Sequence, residues 1–208
     1  MPSKLENLLR KVQWSDFARR RMAAPPPGQT MVAARTDVAY RPFAWSLAPV
    51  PGSKPTIVRL SDNITITIDL NRSSSWVAEW VFQQPQQFQD DLLVHEQGHY
   101  NVTALMARDL FIDLMLLKQN DYTNQNTAVS EINAVLGRYG TPVIQAVNKK
   151  YDSDPETKHG ANTPAQQRWN GYFTSAFTQP RTPATAAPDG TPHRMPLLQV
   201  LKNAGVYP

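Results

Sequence analysis

The chain has 208 residues, 41% of them hydrophobic, with 18 prolines and no cysteine. That length suits one domain with a true core and some proline-punctuated loops, and the missing cysteines exclude disulfides and thiolate metal ligands. Lys and Arg number 21 against 17 acidic residues, a net +4 with no concentrated basic stripe. Nucleic acid is therefore not an expected partner, and Arg19-Arg20-Arg21 is read as a solvated turn.

In chain order, residues 3 to 21 read as a short amphipathic helix leading into Val12-Gln13-Trp14-Ser15-Asp16-Phe17. The N-terminus shows no apolar run of signal-peptide length, and no stretch is long enough to span a membrane. The expectation is a cytoplasmic protein, or one exported by a non-classical route. Pro25-Pro26-Pro27 and Gly28 break any regular element, and residues 30 to 60 suggest short strands joined by loops.

The run Asn63-Ile64-Thr65-Ile66-Thr67-Ile68-Asp69-Leu70 places an apolar residue at every second position. That period predicts a strand with one buried and one wet face. Trp76 and Trp80 are expected to pack beneath the sheet. From about Gln86, after Pro85, to Lys118 the apolar spacing becomes three and four, which predicts a long helix. A second helical stretch runs from about Asn126 to Lys149, with Gly140 and Pro142 kinking or splitting it. Residues 165 to 177 read as a short helix, 180 to 196 as an extended or mobile connector, and Leu197 to Leu201 as a last turn docking on the body.

The chemistry sits on the long helix. His95-Glu96-Gln97-Gly98-His99 puts two imidazoles on one helical face at adjacent turns, so both can reach one ion about 2.0–2.1 Å away. Glu96 then lies beside the metal, placed to act as general base and acid. Gly98 costs the helix up to about 1 kcal/mol relative to Ala, which suggests room for a close neighbour or substrate. Zinc is the expected cofactor. Val102 and Leu105 stand where a longer motif would carry Gly and a third His, so the metzincin arrangement is excluded. The third ligand stays open among His159, Glu131, Asp152 and Glu156, while His193, between Pro192 and Arg194, is expected to be exposed.

The stretch Leu92 to Val102 with Ala107-Arg108-Asp109-Leu110 resembles a bacterial family of predicted secreted zinc-dependent proteases, a domain of unknown function. Trp14 to Phe17, Ser75-Trp76-Val77 and the loop Tyr151-Asp152 to Thr157-x-His159-Gly160, followed by Gln167 and Trp169, carry the rest of the likeness. Extra residues between Asp152 and Thr157 depart from the family pattern. The resemblance covers roughly residues 12 to 172. It implies a secreted protease, favours His159 as third ligand, and suggests Asp152 as an outer or structural partner.

The resulting expectation is an α+β, zincin-like fold: a small antiparallel sheet packed on the active-site helix, then a mostly helical part. Residues 1–178 form the metallopeptidase domain and 179–208 a connector and C-terminal segment. Zinc on His95, His99 and His159 would support peptide-bond hydrolysis with Glu96 as base. Tyr151 is the expected oxyanion donor, with Tyr100 and Tyr172 as alternatives, and the Ile64–Leu70 strand is the expected shelf for an extended peptide. Two other readings stand beside this one. They are a peptidoglycan peptide hydrolase, and a non-catalytic zinc-binding component of a secretion or phage-like assembly.

Overall fold

The computed structural model describes residues 3–26, 31–41, 43–54, 56–61, 64–181 and 193–208. Pro27, Gly28, Asn63 and most of the expected connector therefore lie outside the described residues.

Strand β7 (Thr65–Leu70) is the spine of the sheet region, and Ile66, Ile68 and Leu70 alternate into the core as their spacing predicts. It is central, with β1 (Lys4–Glu6) parallel on one side and β4 (Val38–Tyr40) antiparallel on the other. A second small sheet repeats the pattern. There β8 (Trp76–Ala78) lies between β2 (Ala18–Arg20), parallel, and β3 (Ala34–Arg35), antiparallel. Strands β5 (Leu47–Pro49) and β6 (Val58–Leu60) form a separate antiparallel pair.

Three expectations are corrected here. The sheets are mixed, not antiparallel. Residues 3 to 21 are not a helix, because the backbone groups of β1 and β2 bond to β7 and β8 instead of to one another. Asn7, at φ 66, turns the chain between them and donates its Nδ2 to the Ile68 carbonyl. The arginine triplet is solvated as expected but is not a turn: Arg19 and Arg20 lie exposed in β2 and stack on Phe82 and Trp76.

The Trp14-Ser15-Asp16-Phe17 segment is an anchor. Buried Asp16 accepts from Gln13 N (3.1 Å), Arg10 (2.7 Å) and Arg72 (2.8 Å), which ties the N-terminal segment to the loop after β7.

Helix α1 (Gln86–Leu117) runs beneath the strands, and from Tyr100 to Leu114 it is buried on nearly every side. The second helical stretch is split. Helix α2 (Gln125–Arg138) stops at Tyr139, and α3 (Thr141–Asp152) restarts with Gly140 as its cap and Pro142 in the first turn, where no N–H is missed. Helix α4 (Thr163–Thr178) and the short α5 (Leu197–Asn203) pack on each other and on α1.

The C-terminal segment is held to α1 by charge as well as by apolar contact. Arg108, buried, donates to the carbonyls of Ala176 (2.6 Å) and Met195 (3.1 Å), and Asp109 accepts from Leu197 N at 2.8 Å. His193 is buried, not exposed, because Arg181 N bonds its carbonyl and the chain there pairs with the end of α4. No helix among the described residues is long and apolar enough to cross a membrane.

Candidate metal centre

Four segments meet at the motif. Helix α1 carries His95, Glu96 and His99, and the end of α3 carries Tyr151 and Asp152. The loop after α3 carries His159, and the link between β3 and β4 carries Thr36. They enclose a cleft of roughly 460 Å³ that includes His95, Glu96, His99, Asp152, His159 and Thr36 in its lining.

Each motif histidine is oriented by an amide. His95 Nδ1 lies 3.2 Å from Gln166 Oε1, and His99 Nδ1 lies 2.8 Å from Asn148 Oδ1. The amide orientations are fixed in turn, since Gln166 Nε2 donates to Asn170 and Asn148 Nδ2 donates to the Ile144 carbonyl. The Nδ1–H groups therefore donate outward, and both Nε2 atoms face inward.

They converge on Asp152, whose Oδ1 is 3.2 Å from His95 Nε2, 3.1 Å from His99 Nε2 and 3.7 Å from His159 Nδ1. That oxygen is buried, and apart from these imidazole nitrogens it has no hydrogen-bond partner among the described residues. Burial alone would raise the pKa of Asp152, but the neighbouring His95 and His99 outweigh it and hold the carboxyl well below the usual carboxylate range. Burial opposes charge on His99 as well, yet Asp152, Glu96 and Asn148 push its pKa up to about 9. His95, Asp152 and His159 offer ligand atoms all within 4.8 Å of one another, a set able to hold a metal ion.

The other two motif positions have structural work. Gln97 accepts from Val12 N at 2.8 Å and donates to the Arg10 carbonyl at 3.2 Å, clipping the N-terminal segment to α1. Gly98 admits Tyr151, and a Cβ at Gly98 would stand 2.1 Å from the Tyr151 hydroxyl oxygen. The close neighbour expected from the glycine is thus a side chain of the protein itself. Gly98→Ala should cost about 1–3 kcal/mol, as overpacking does, and weaken metal uptake by shifting Tyr151. Urea unfolding and a metal titration check both effects.

Tyr151, the expected oxyanion donor, lies in the core and not in the cleft lining. It is fully buried, stacks on His95 at 4.8 Å, and its hydroxyl lies 3.1 Å from the His95 carbonyl and 2.9 Å from Gln166 Oε1. Burial, above all, raises its pKa far beyond the ordinary phenol value. It positions His95 and does not face the cleft. Tyr100 is also turned away, its hydroxyl donating to Asn7 O, and Tyr172 stands edge-on to Trp169.

Of the other candidate ligands, Glu131 accepts from Tyr122 and Glu156 accepts from Trp169 Nε1, both committed elsewhere. His193 is held in the C-terminal segment.

Three contributors escaped sequence reading: Asn148, Gln166 and Thr36. The Thr36 hydroxyl donates to Glu96 Oε2 at 2.6 Å and holds the carboxylate against the strand side of the cleft. No local pattern marks it, because the bond spans 60 residues.

A model of the family described as bacterial protein of unknown function (DUF922) matches residues 13–160. The chain belongs to this family. The DUF922 match begins at the Trp14–Phe17 anchor and ends at Gly160, so it takes in both motif histidines, Asp152, His159 and Thr36. Helix α4, with the orienting Gln166, lies beyond it. The chain matches no curated protein and no solved structure.

Proposed function

We propose that the chain is a zinc-dependent hydrolase of peptide bonds. One observation carries this reading. The Nε2 atoms of His95 and His99 converge in a cleft, each ring fixed through Nδ1, beside a carboxylate that is held separately by Thr36. The donor set fits zinc: imidazoles and a carboxylate, no thiolate, with outer groups that set the tautomers.

His95, His99 and His159 hold the metal. Zinc, when bound, supplies a Lewis acid and brings the pKa of water toward about 7. Glu96 accepts a proton from the attacking water and delivers it to the leaving amine. Thr36 keeps the Glu96 carboxylate aligned for that transfer. Thr36→Val should lower kcat roughly 10–100-fold, the worth of a hydrogen bond to a charged group, with KM little changed. Thr36→Ser should retain the rate, and steady-state kinetics on the pair decide it.

The peptide shelf is not β7, which is paired on both sides. Among the described residues, strands β3 and β4 each pair on one side only and both line the cleft, so an extended substrate finds a backbone edge there. That edge beside the motif helix supports a zincin-like reading of the fold.

The test is metal-dependent hydrolysis. Protein purified with zinc should cleave casein, lose activity on chelation and regain it with zinc. Purified peptidoglycan run in parallel sorts the substrate: turnover of the wall alone would narrow the reading to cell-wall peptides. If the protein takes up no zinc, the proposal is wrong.

A further inference from the structure

Resting on the zinc reading above, we propose that Asp152 is itself a metal ligand. With His95, His99 and His159 it closes the coordination sphere of the resting protein, and His159 is the ligand that withdraws.

An outer carboxylate orients a ligating histidine by accepting from the ring nitrogen that does not face the metal. In this site those nitrogens are already taken, by Gln166 and Asn148. Asp152 faces the other nitrogen of each ring, on the metal side. Its separations from the two Nε2 atoms are 3.2 and 3.1 Å. Tetrahedral zinc with bonds of about 2.0–2.1 Å places its ligand atoms about 3.3 Å apart. The distance to His159 Nδ1, 3.7 Å, is close to the same edge, while the set whose ligand atoms all lie within 4.8 Å holds His95, Asp152 and His159 without His99, whose ring must draw in on binding.

The Asp152 oxygen is also unserved in a site where its neighbours are satisfied. Both Nδ1 atoms and the Glu96 carboxylate have hydrogen-bond partners, whereas buried Asp152 Oδ1 has, among the described residues, only the inward-facing imidazole nitrogens beside it. A buried carboxylate oxygen without a donor is unfavourable, and a cation is the partner that suits it. Its backbone is the last residue of α3, directly after Tyr151, which is locked under His95. Asp152 is therefore held in place.

His159 is built differently. Lys158, His159 and Gly160 have φ of 48, 51 and 83, three successive left-handed residues of which only one is glycine. The His159 side chain is 46% exposed, against 2% for His95. Four protein ligands leave no position for water, and a catalytic zinc keeps one open. The half-exposed ligand on the strained turn is the one free to depart, so hydrolysis requires that turn to open.

Competition with a chelator gives zinc affinities for wild type, Asp152→Asn and His159→Ala, with circular dichroism to confirm folding. Asp152→Asn should weaken zinc more than about 100-fold, beyond the 10–100-fold typical of an outer partner. In cobalt-substituted protein, azide should change the visible absorption of His159→Ala and leave wild type unchanged. A loss of 100-fold or less in Asp152→Asn overturns the ligand assignment. Azide perturbing wild type as strongly as His159→Ala overturns the closed sphere, and this second measurement does not depend on Asp152→Asn folding. Either failure leaves zinc binding and turnover by wild type intact, whereas wild type that binds no metal defeats the underlying reading.

Discussion

Glu96→Gln should lower peptide hydrolysis roughly 10²–10⁴-fold, the usual contribution of a positioned general base, while zinc content stays at the wild-type level. Glutamine keeps the shape of the side chain, and its carbonyl oxygen still accepts from the Thr36 hydroxyl that reaches Glu96 at 2.6 Å. What it loses is basicity. The rings of His95 and His99 are oriented through Gln166 and Asn148, not through Glu96, so the metal set should be undisturbed. Metal analysis beside initial-rate measurement separates the two effects. A mutant that turns over at the wild-type rate with full zinc removes Glu96 from the chemistry.

Asp109→Ala should destabilise the fold by about 3–5 kcal/mol, the cost of stranding one member of a buried ion pair. Asp109 lies beside Arg108 at 2.5 Å and takes the backbone N–H of Leu197 at the start of α5. Without it, buried Arg108 keeps only the carbonyls of Ala176 and Met195, and the Leu197 N–H loses its acceptor. The C-terminal segment should become protease-sensitive, and urea unfolding should show the loss. Burial pushes the Asp109 pKa up to about 6 from the ordinary 3.8, against the Arg108 charge that lowers it. The folded state therefore binds the proton more tightly than the unfolded chain, and this group's contribution to stability rises as pH falls through about 6. The stability of wild type relative to Asp109→Asn should accordingly grow between pH 7 and 5.

The sequence was legible where spacing alone dictates structure. The alternation from Ile64 to Leu70 and the three-and-four spacing along α1 each name an element and its buried face, and His95 to His99 is one helical turn wherever that helix forms. It misled where pairing partners are distant. Leu5, Leu8, Leu9 and Val12 repeat at helical spacing, yet β1 forms because β7, some sixty residues later, supplies its hydrogen bonds. Leu9 is left 74% exposed, as no helix there would leave it. His193 stands among prolines and threonines like a loop residue, and only docking of the C-terminal segment buries it. Thr36, Asn148 and Gln166 carry no local signature at all. Their roles exist only once four segments meet. The missing side chain at Gly98 is the better clue to what Tyr151 does.

That assembly bears on the order of folding. Helix α1 can form early from local contacts, with His95 and His99 already one turn apart. The groups that complete and orient the site extend from Thr36 to Gln166 and reach it only through long-range closure, which is the slow part of folding. A growing chain that has emerged as far as residue 150 has the motif but neither Asp152 nor His159. On the zinc reading, tight metal capture is thus a late event in the life of the molecule, one that reports that the whole chain, not the motif helix, has found its place.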